Sequence, residues 1–232
     1  MIHGFRIPKM RSGAPRFEQL DQDSRVETTR HAIREGKTMV ERWTRLSRRQ
    51  SRSWEYRAEK AAWLLGGCDS VVDIGSGRML LEKHLEPGTR YVPVDVVRRD
   101  QRTIVVDLND SSEWPEAVSG DAAAILGVVE YLYDLERFMG RLSSRFDRAV
   151  VSYSVSDLSG LPQVRLANGW TNTFSRAELE GTFSIHGWSV TDAFRVDSVQ
   201  WMWHLVKSSR PSGFDAGRAG TALGGLGSMD HM

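Results

Sequence analysis

Ser70-Val71-Val72-Asp73-Ile74-Gly75-Ser76-Gly77-Arg78-Met79-Leu80-Leu81 decides how this chain is read. Val71, Val72 and Ile74 form a short β-branched apolar run suited to a strand buried on both faces. Gly75 and Gly77 bracket a turn where backbone can come close to a ligand, because glycine carries no Cβ. Helix-compatible residues resume from Arg78 to Leu85, so the stretch reads as strand, glycine turn, helix. In an open α/β sheet, ligands bind just beyond the carboxyl ends of the strands, where this turn falls.

Toward the amino terminus, Trp54, Tyr56, Ala61, Ala62, Trp63, Leu64 and Leu65 predict a helix stopped by Gly66-Gly67. Before it, Val26, Ile33, Val40 and Trp43 recur at helical spacing with charges between them. They predict one amphipathic helix from Val26 to about Arg49, or two with a break at Gly36. Residues 1–24 mix Gly, Pro, Arg and Gln without a period and read as a flexible arm. Residues 25–66 then form a helical extension.

Toward the carboxyl terminus, Glu86-Pro87-Gly88 marks a turn, Tyr91 to Val94 a second strand ending at Asp95, and Thr103 to Val106 a third ending at Asp107. The few residues between them fall short of the dozen or so that a crossover helix needs, so the usual helix is missing or reduced to a turn. Ser112 to Val118 allows a short helix. Ala122 to Leu126 is an apolar fourth strand running into Gly127-Val128-Val129-Glu130-Tyr131. Asp134 can cap a helix striped by Leu135, Phe138, Met139 and Leu142. Ala149 to Tyr153 is the fifth strand, followed by a long polar and aromatic connection over 154–174. Ser175 and Glu178 have capping-box spacing before a helix to about His186. Trp188 to Phe194 and Val199 to Val206 alternate as strands close enough to pair antiparallel. The Gly-, Ser- and Ala-rich segment 208–232 reads as a disordered tail.

Composition narrows the class. The 232 residues are 40% apolar, enough for one α/β domain with additions. Charge is nearly balanced, with 31 Lys and Arg against 30 Asp and Glu, so the total gives no reason to expect nucleic-acid or membrane binding. The balance is uneven, since residues 1–60 hold 15 basic and 8 acidic side chains. Cys68 alone excludes an internal disulfide and fits a reducing cytoplasm. No apolar run reaches signal-peptide or membrane-span length, which favours a soluble, cytoplasmic protein. His186 and His204 have no carboxylate or second histidine at metal-ligand spacing, so no metal site is expected.

The order of elements, five strands with helices between them and then a helix and a terminal strand pair, resembles the class I S-adenosylmethionine-dependent methyltransferases. The resemblance runs from about Trp54 to Lys207. It is carried by Val-Val-Asp-Ile-Gly-Ser-Gly at 71–77, Val94-Asp95, Val-Asp-Leu-Asn at 106–109, Leu-Gly-Val-Val-Glu-Tyr-Leu at 126–132 and Phe-Ser-Arg-Ala-Glu-Leu at 174–179. A dinucleotide-binding domain fits less well: the third glycine of its phosphate loop is absent after Gly77. The resemblance implies a single Rossmann-like domain over 67–207, with a mostly parallel seven-stranded sheet, a terminal antiparallel pair and the amino-terminal helices as a lid.

It also implies site residues. Asp73, Gly75, Ser76 and Gly77 would hold the methionine end of S-adenosylmethionine, Asp95 its ribose, Asp107 and Leu108 its adenine, and Gly127 and Val128 its sulfonium side. Glu130 and Tyr131 follow the fourth strand near the expected methyl group, where either could position or deprotonate an acceptor. Many relatives have His where Tyr131 stands. Signatures of DNA and protein amide methylation are absent after this strand, which favours a small-molecule acceptor. Tyr131, Tyr133, Tyr153, Trp170 and Phe174 are candidates for an aromatic acceptor pocket, and Trp43, Trp54, Tyr56 and Arg57 for the lid.

Two other readings stay open. Arg45-Leu46-Ser47-Arg48-Arg49-Gln50-Ser51-Arg52 could track phosphates, as in an RNA methyltransferase or a nucleic-acid adaptor. The pair 106–109 and 169–174 also resembles a branch associated with methionine biosynthesis, some of whose members act with an acyltransferase partner, which implies a non-catalytic fold. A homodimer is likewise left open.

Overall fold

The computed structural model describes residues 15–44 and 52–208. Most of the basic stretch 45–52, most of the arm and nearly all of the tail therefore lie outside the described residues. Seven strands form one sheet in the order β3-β2-β1-β4-β5-β7-β6. Here β1 is Ser70–Ile74, β2 Arg90–Asp95, β3 Ile104–Val105, β4 Ala122–Leu126, β5 Arg148–Ser154, β6 Trp188–Arg195 and β7 Gln200–Lys207. The first five are parallel, and β7 runs antiparallel to both β5 and β6. This is the expected mostly parallel sheet with its terminal antiparallel pair.

The central strands are buried on both faces, so their side chains alternate between two cores. Val72, Ile74, Ala123 and Ile125 point into one with Leu135, Phe138, Met139, Leu142, Leu179 and Phe183. The last six lie on α4 (Leu135–Arg145) and α6 (Arg176–Ile185). Val71, Ala122, Ala124 and Val150 point the other way, against Ala61, Ala62, Leu64 and Leu65. Three of these lie on α3 (Arg52–Leu64), and Leu65 follows it. Each large side chain buried here contributes about 1.5–3 kcal/mol before conformational entropy is charged.

Local signals account for the helix ends. The Asp134 carboxylate accepts from the Arg137 N–H at the start of α4, and Ser175 and Glu178 form the reciprocal capping box of α6. The amino-terminal helix breaks at Gly36, left-handed at φ 61°, which separates α1 (Gln22–Glu35) from α2 (Val40–Thr44). Before α1, Phe17 is buried, in the segment read as arm.

Three expectations are corrected. After β1 there is no α-helix, only turns and a 3₁₀ turn over Glu82–His84. The turn is instead tied to β2, Gly75 and Ser76 donating to the Val94 carbonyl and Gly77 to Asp95. Met79 adds a left-handed residue at φ 56°. Residues 112–118 form turns rather than a helix, held where Arg145 donates to the carbonyls of Trp114 and Pro115. Conversely, the 154–174 connection contains α5 (Pro162–Ala167), with Pro162 in its first turn. It packs against α1, where the Thr29 hydroxyl donates to the Leu166 carbonyl. The expected loss of a helix between β2 and β3 is observed.

Candidate functional site

At the carboxyl ends of β1, β2 and β4 lies a cavity of about 460 Å³, to whose lining α2 and α3 contribute Arg42, Trp43, Trp54 and Arg57. Asp73, Asp95 and Asp107, each at or just past a strand end, converge on it. Gly75, Ser76 and Gly77 line its floor, as do Leu108, Gly127 and Val128.

Backbone geometry makes the floor a cradle. Gly75 (φ 76°) and Gly127 (φ 69°) are left-handed. A Cβ on Gly75 would stand 2.3 Å from Val128 Cγ2, and one on Gly127 2.5 Å from Arg57 Nη1. The Gly75 and Ser76 N–H groups reach the Val94 carbonyl at 2.7 and 2.9 Å, and the Gly77 N–H reaches Asp95 Oδ2 at 2.8 Å. The turn is thereby bolted to β2, while the Ser76 hydroxyl is buried without a partner among the described residues.

Each carboxylate has a distinct environment. Asp73 is buried and accepts the Tyr91 hydroxyl at 2.6 Å; burial pushes its carboxyl up to about 7, against the pull of that bond. Asp95 Oδ1 accepts the Val97 N–H at 2.8 Å and Arg99 Nη2 at 3.2 Å. Arg99 Nη1 in turn donates to the Trp43 carbonyl at 3.0 Å, which ties this carboxylate to the helical cover. Asp107 Oδ1 accepts the Thr38 hydroxyl at 2.7 Å and the Asn109 N–H at 3.0 Å.

On the opposite wall, Glu130 is 2% exposed. Its Oε1 accepts the Ser154 N–H at 2.9 Å and Gln200 Nε2 at 3.5 Å, and Oε2 is buried without a partner among the described residues. Arg57 crosses from α3 to reach Gln200 Oε1 at 3.2 Å, with its Nε unpartnered. Burial lowers the Arg57 pKa, and Glu130 is the strongest of the charges opposing that shift. Tyr131 meets Trp43 edge to face, with ring centroids 4.6 Å apart, and burial raises its hydroxyl pKa. The hydroxyl is therefore protonated at neutral pH, so Tyr131 donates or positions and is no ready base.

Of the aromatic residues proposed for an acceptor pocket, Tyr131 and Trp170 line the cavity, whereas Tyr133, Tyr153 and Phe174 do not. The Tyr133 hydroxyl donates to the Lys37 carbonyl at 2.8 Å and latches the cover. Tyr153 is wholly buried, donates to Asn172 Oδ1 and accepts from Arg165 and the Phe174 N–H. Phe174 packs on the core. Among the lid candidates Trp43, Trp54 and Arg57 line the cavity; Tyr56 faces away, 43% exposed. Thr38, Arg99 and Gln200 carry no local sequence signal, and only tertiary contact brings them here.

Sheet order, left-handed glycines at two strand ends and a cavity beyond the parallel strands together make a Rossmann-like α/β fold, the fold shared by the methyltransferases described next. Comparison with solved structures agrees on particular proteins. Mitomycin 7-O-methyltransferase MmcR is similar over 83% of this chain and 70% of its own, at TM-score 0.56 and 16% identity. The 1,6-didemethyltoxoflavin-N1-methyltransferase of Burkholderia thailandensis, solved with its substrate and S-adenosylhomocysteine, matches over 87% and 94%, at 0.52 and 18%. Human N-acetylserotonin methyltransferase, solved with its cofactor, matches over 82% and 57%, at 0.52 and 12%. The chain spans 55% of the pyocyanin biosynthetic protein PhzM and so little more than half of some of these relatives. At such identities the likeness is one of fold. No protein-family model and no curated protein matches the chain. Among the described residues no helix is long and apolar enough to cross a membrane.

Proposed function

We propose that this chain is an S-adenosylmethionine-dependent methyltransferase acting on a small-molecule acceptor. The observation that carries this reading is the convergence of Asp73, Asp95 and Asp107 with the left-handed glycines Gly75 and Gly127 on one cavity. The cofactor supplies a methyl group on a sulfonium, open to in-line displacement by a lone pair of the acceptor.

The residues fit such a ligand. Gly75 and Gly127 let Val128 and Arg57 pack directly on the backbone of the floor, where any side chain would clash, and Asp73 and Gly77 frame the methionine end. Arg57, whose guanidinium stands against Gly127, supplies the countercharge for its carboxylate. Asp107 and the Leu108 amide take the adenine edge. Of the roughly four lone-pair sites on Asp95, three are engaged, leaving one for a ribose hydroxyl and a second when Arg99 lets go. Val128 packs behind the floor. Glu130 and Tyr131 act by holding the acceptor wall and excluding water.

Calorimetric titration with S-adenosylmethionine and S-adenosylhomocysteine tests this. Binding is expected, weakened by Asp95→Ala. No binding at millimolar ligand would refute the methyltransferase reading, and binding indifferent to Asp95→Ala would refute the ribose assignment alone.

A further inference from the structure

Beyond the cradle, three indoles line the cavity, Trp43, Trp54 and Trp170, and each has a guanidinium against its ring. Arg42 Cζ lies 4.8 Å from the Trp43 centroid and 5.6 Å from that of Tyr131. Arg57 lies 5.8 Å from Trp54, and Arg165 4.8 Å from Trp170. Arg165 does not line the cavity and so stands behind its indole.

Among the described residues Arg165 makes no ion pair, and Arg42 makes one, at the surface. Arg165, 1% exposed, donates among the described residues only to uncharged acceptors: the Asn172 and Ser154 carbonyls at 3.0 and 2.7 Å, the Tyr153 hydroxyl at 2.6 Å and the Ser159 hydroxyl. Arg57 belongs to the cofactor side, where it answers the methionine carboxylate. Arg42 pairs at 3.2 Å with Glu18, whose side chain is 56% exposed. Facing them are Glu130, with one oxygen on the Ser154 N–H, and Asp197, one of whose oxygens accepts the Val199 and Gln200 N–H groups. Asp95 is paired with Arg99, and Asp73 and Asp107 belong to the cofactor side.

A cation held against an indole draws its π density, so the ring best stacks an electron-rich partner. In a low-dielectric pocket that preference is strengthened. We infer that the acceptor is a planar aromatic or heteroaromatic molecule that binds as an anion, its ring against Trp43 and Trp170. This rests on the methyltransferase reading. It accords with a site whose tyrosine stays protonated, because an anionic acceptor brings its lone pair without needing a base.

The test titrates naphthoate, its uncharged isostere naphthamide and the non-aromatic anion cyclohexanecarboxylate into the full chain saturated with S-adenosylhomocysteine, at neutral pH. Naphthoate is expected to bind at least about tenfold tighter than either. Arg42→Gln and Trp170→Leu should each abolish most of that preference, while Trp170→Phe, which keeps a ring, should retain it. Equal or tighter binding of naphthamide or cyclohexanecarboxylate, or displacement of S-adenosylhomocysteine by naphthoate, would overturn the inference. So would a preference unchanged in both Arg42→Gln and Trp170→Leu. Failure of S-adenosylhomocysteine itself to bind falls instead on the methyltransferase reading; the naphthoate preference, measured without it, then decides the anionic aromatic site separately.

Discussion

Replacing Asp73 by Asn removes a carboxyl whose pKa folding raises from 3.8 to about 7, through burial at the end of β1. Because the folded pKa lies above the unfolded one, the native protein binds the proton more tightly. Its contribution to stability is complete below the unfolded pKa and is lost as pH rises through the folded one. At about 1.36 kcal/mol per unit, the whole shift corresponds to a penalty of about 4 kcal/mol above pH 7. Most of it, about 2–3 kcal/mol, develops between roughly pH 5 and pH 8. Asparagine keeps an oxygen for the Tyr91 hydroxyl but never ionises, so the variant escapes the penalty. Urea unfolding of the ligand-free wild type and Asp73→Asn across that range, read as the difference between the two proteins, cancels every other titrating group. The variant should gain on the wild type by about 2–3 kcal/mol as pH rises. A difference that stays flat within about 0.5 kcal/mol would refute the claim that Asp73 is buried against its charge.

Gly75→Ala should destabilise the protein by about 1–3 kcal/mol in urea unfolding, from a left-handed φ and a methyl driven against Val128. Adding Val128→Ala should recover only the part due to the clash. Arg165→Leu strips the donor from two carbonyls and two hydroxyls, and a loss of about 3–5 kcal/mol is expected by the same measurement. Ser175→Ala should lower stability by about 1 kcal/mol and fray the first turn of α6, visible as faster amide exchange at Glu178.

Where a feature depends on neighbours in the chain, reading the sequence succeeds. The β-branched run at 71–74 is a central strand because a strand covered on both faces must be apolar on both. Gly36 stops a helix, and Asp134 and Ser175 start theirs, through bonds spanning three or four residues. The helix foreseen after Gly77 fails for a tertiary reason. The turn is tied to β2 through Val94 and Asp95 and Met79 takes a left-handed φ of 56°, neither of which composition alone can show.

From its order of strand runs, acids at strand ends and glycines, the sequence by itself determined the sheet, its terminal antiparallel pair and the placing of Asp73, Asp95 and Asp107 around one cavity. Only the tertiary structure decided which aromatic residues face that cavity. Tyr131 and Tyr133 are two positions apart, yet one abuts Trp43 while the other is captured by the Lys37 carbonyl. It also decided that Arg57 packs against Gly127, seventy positions away, and that Arg42, Arg57 and Arg165 each back an indole. The physical reason is common to all of these. A side chain's partner across the fold is fixed by how helices and strands stack, whereas a cap, a turn or a buried strand is fixed within a few residues along the chain.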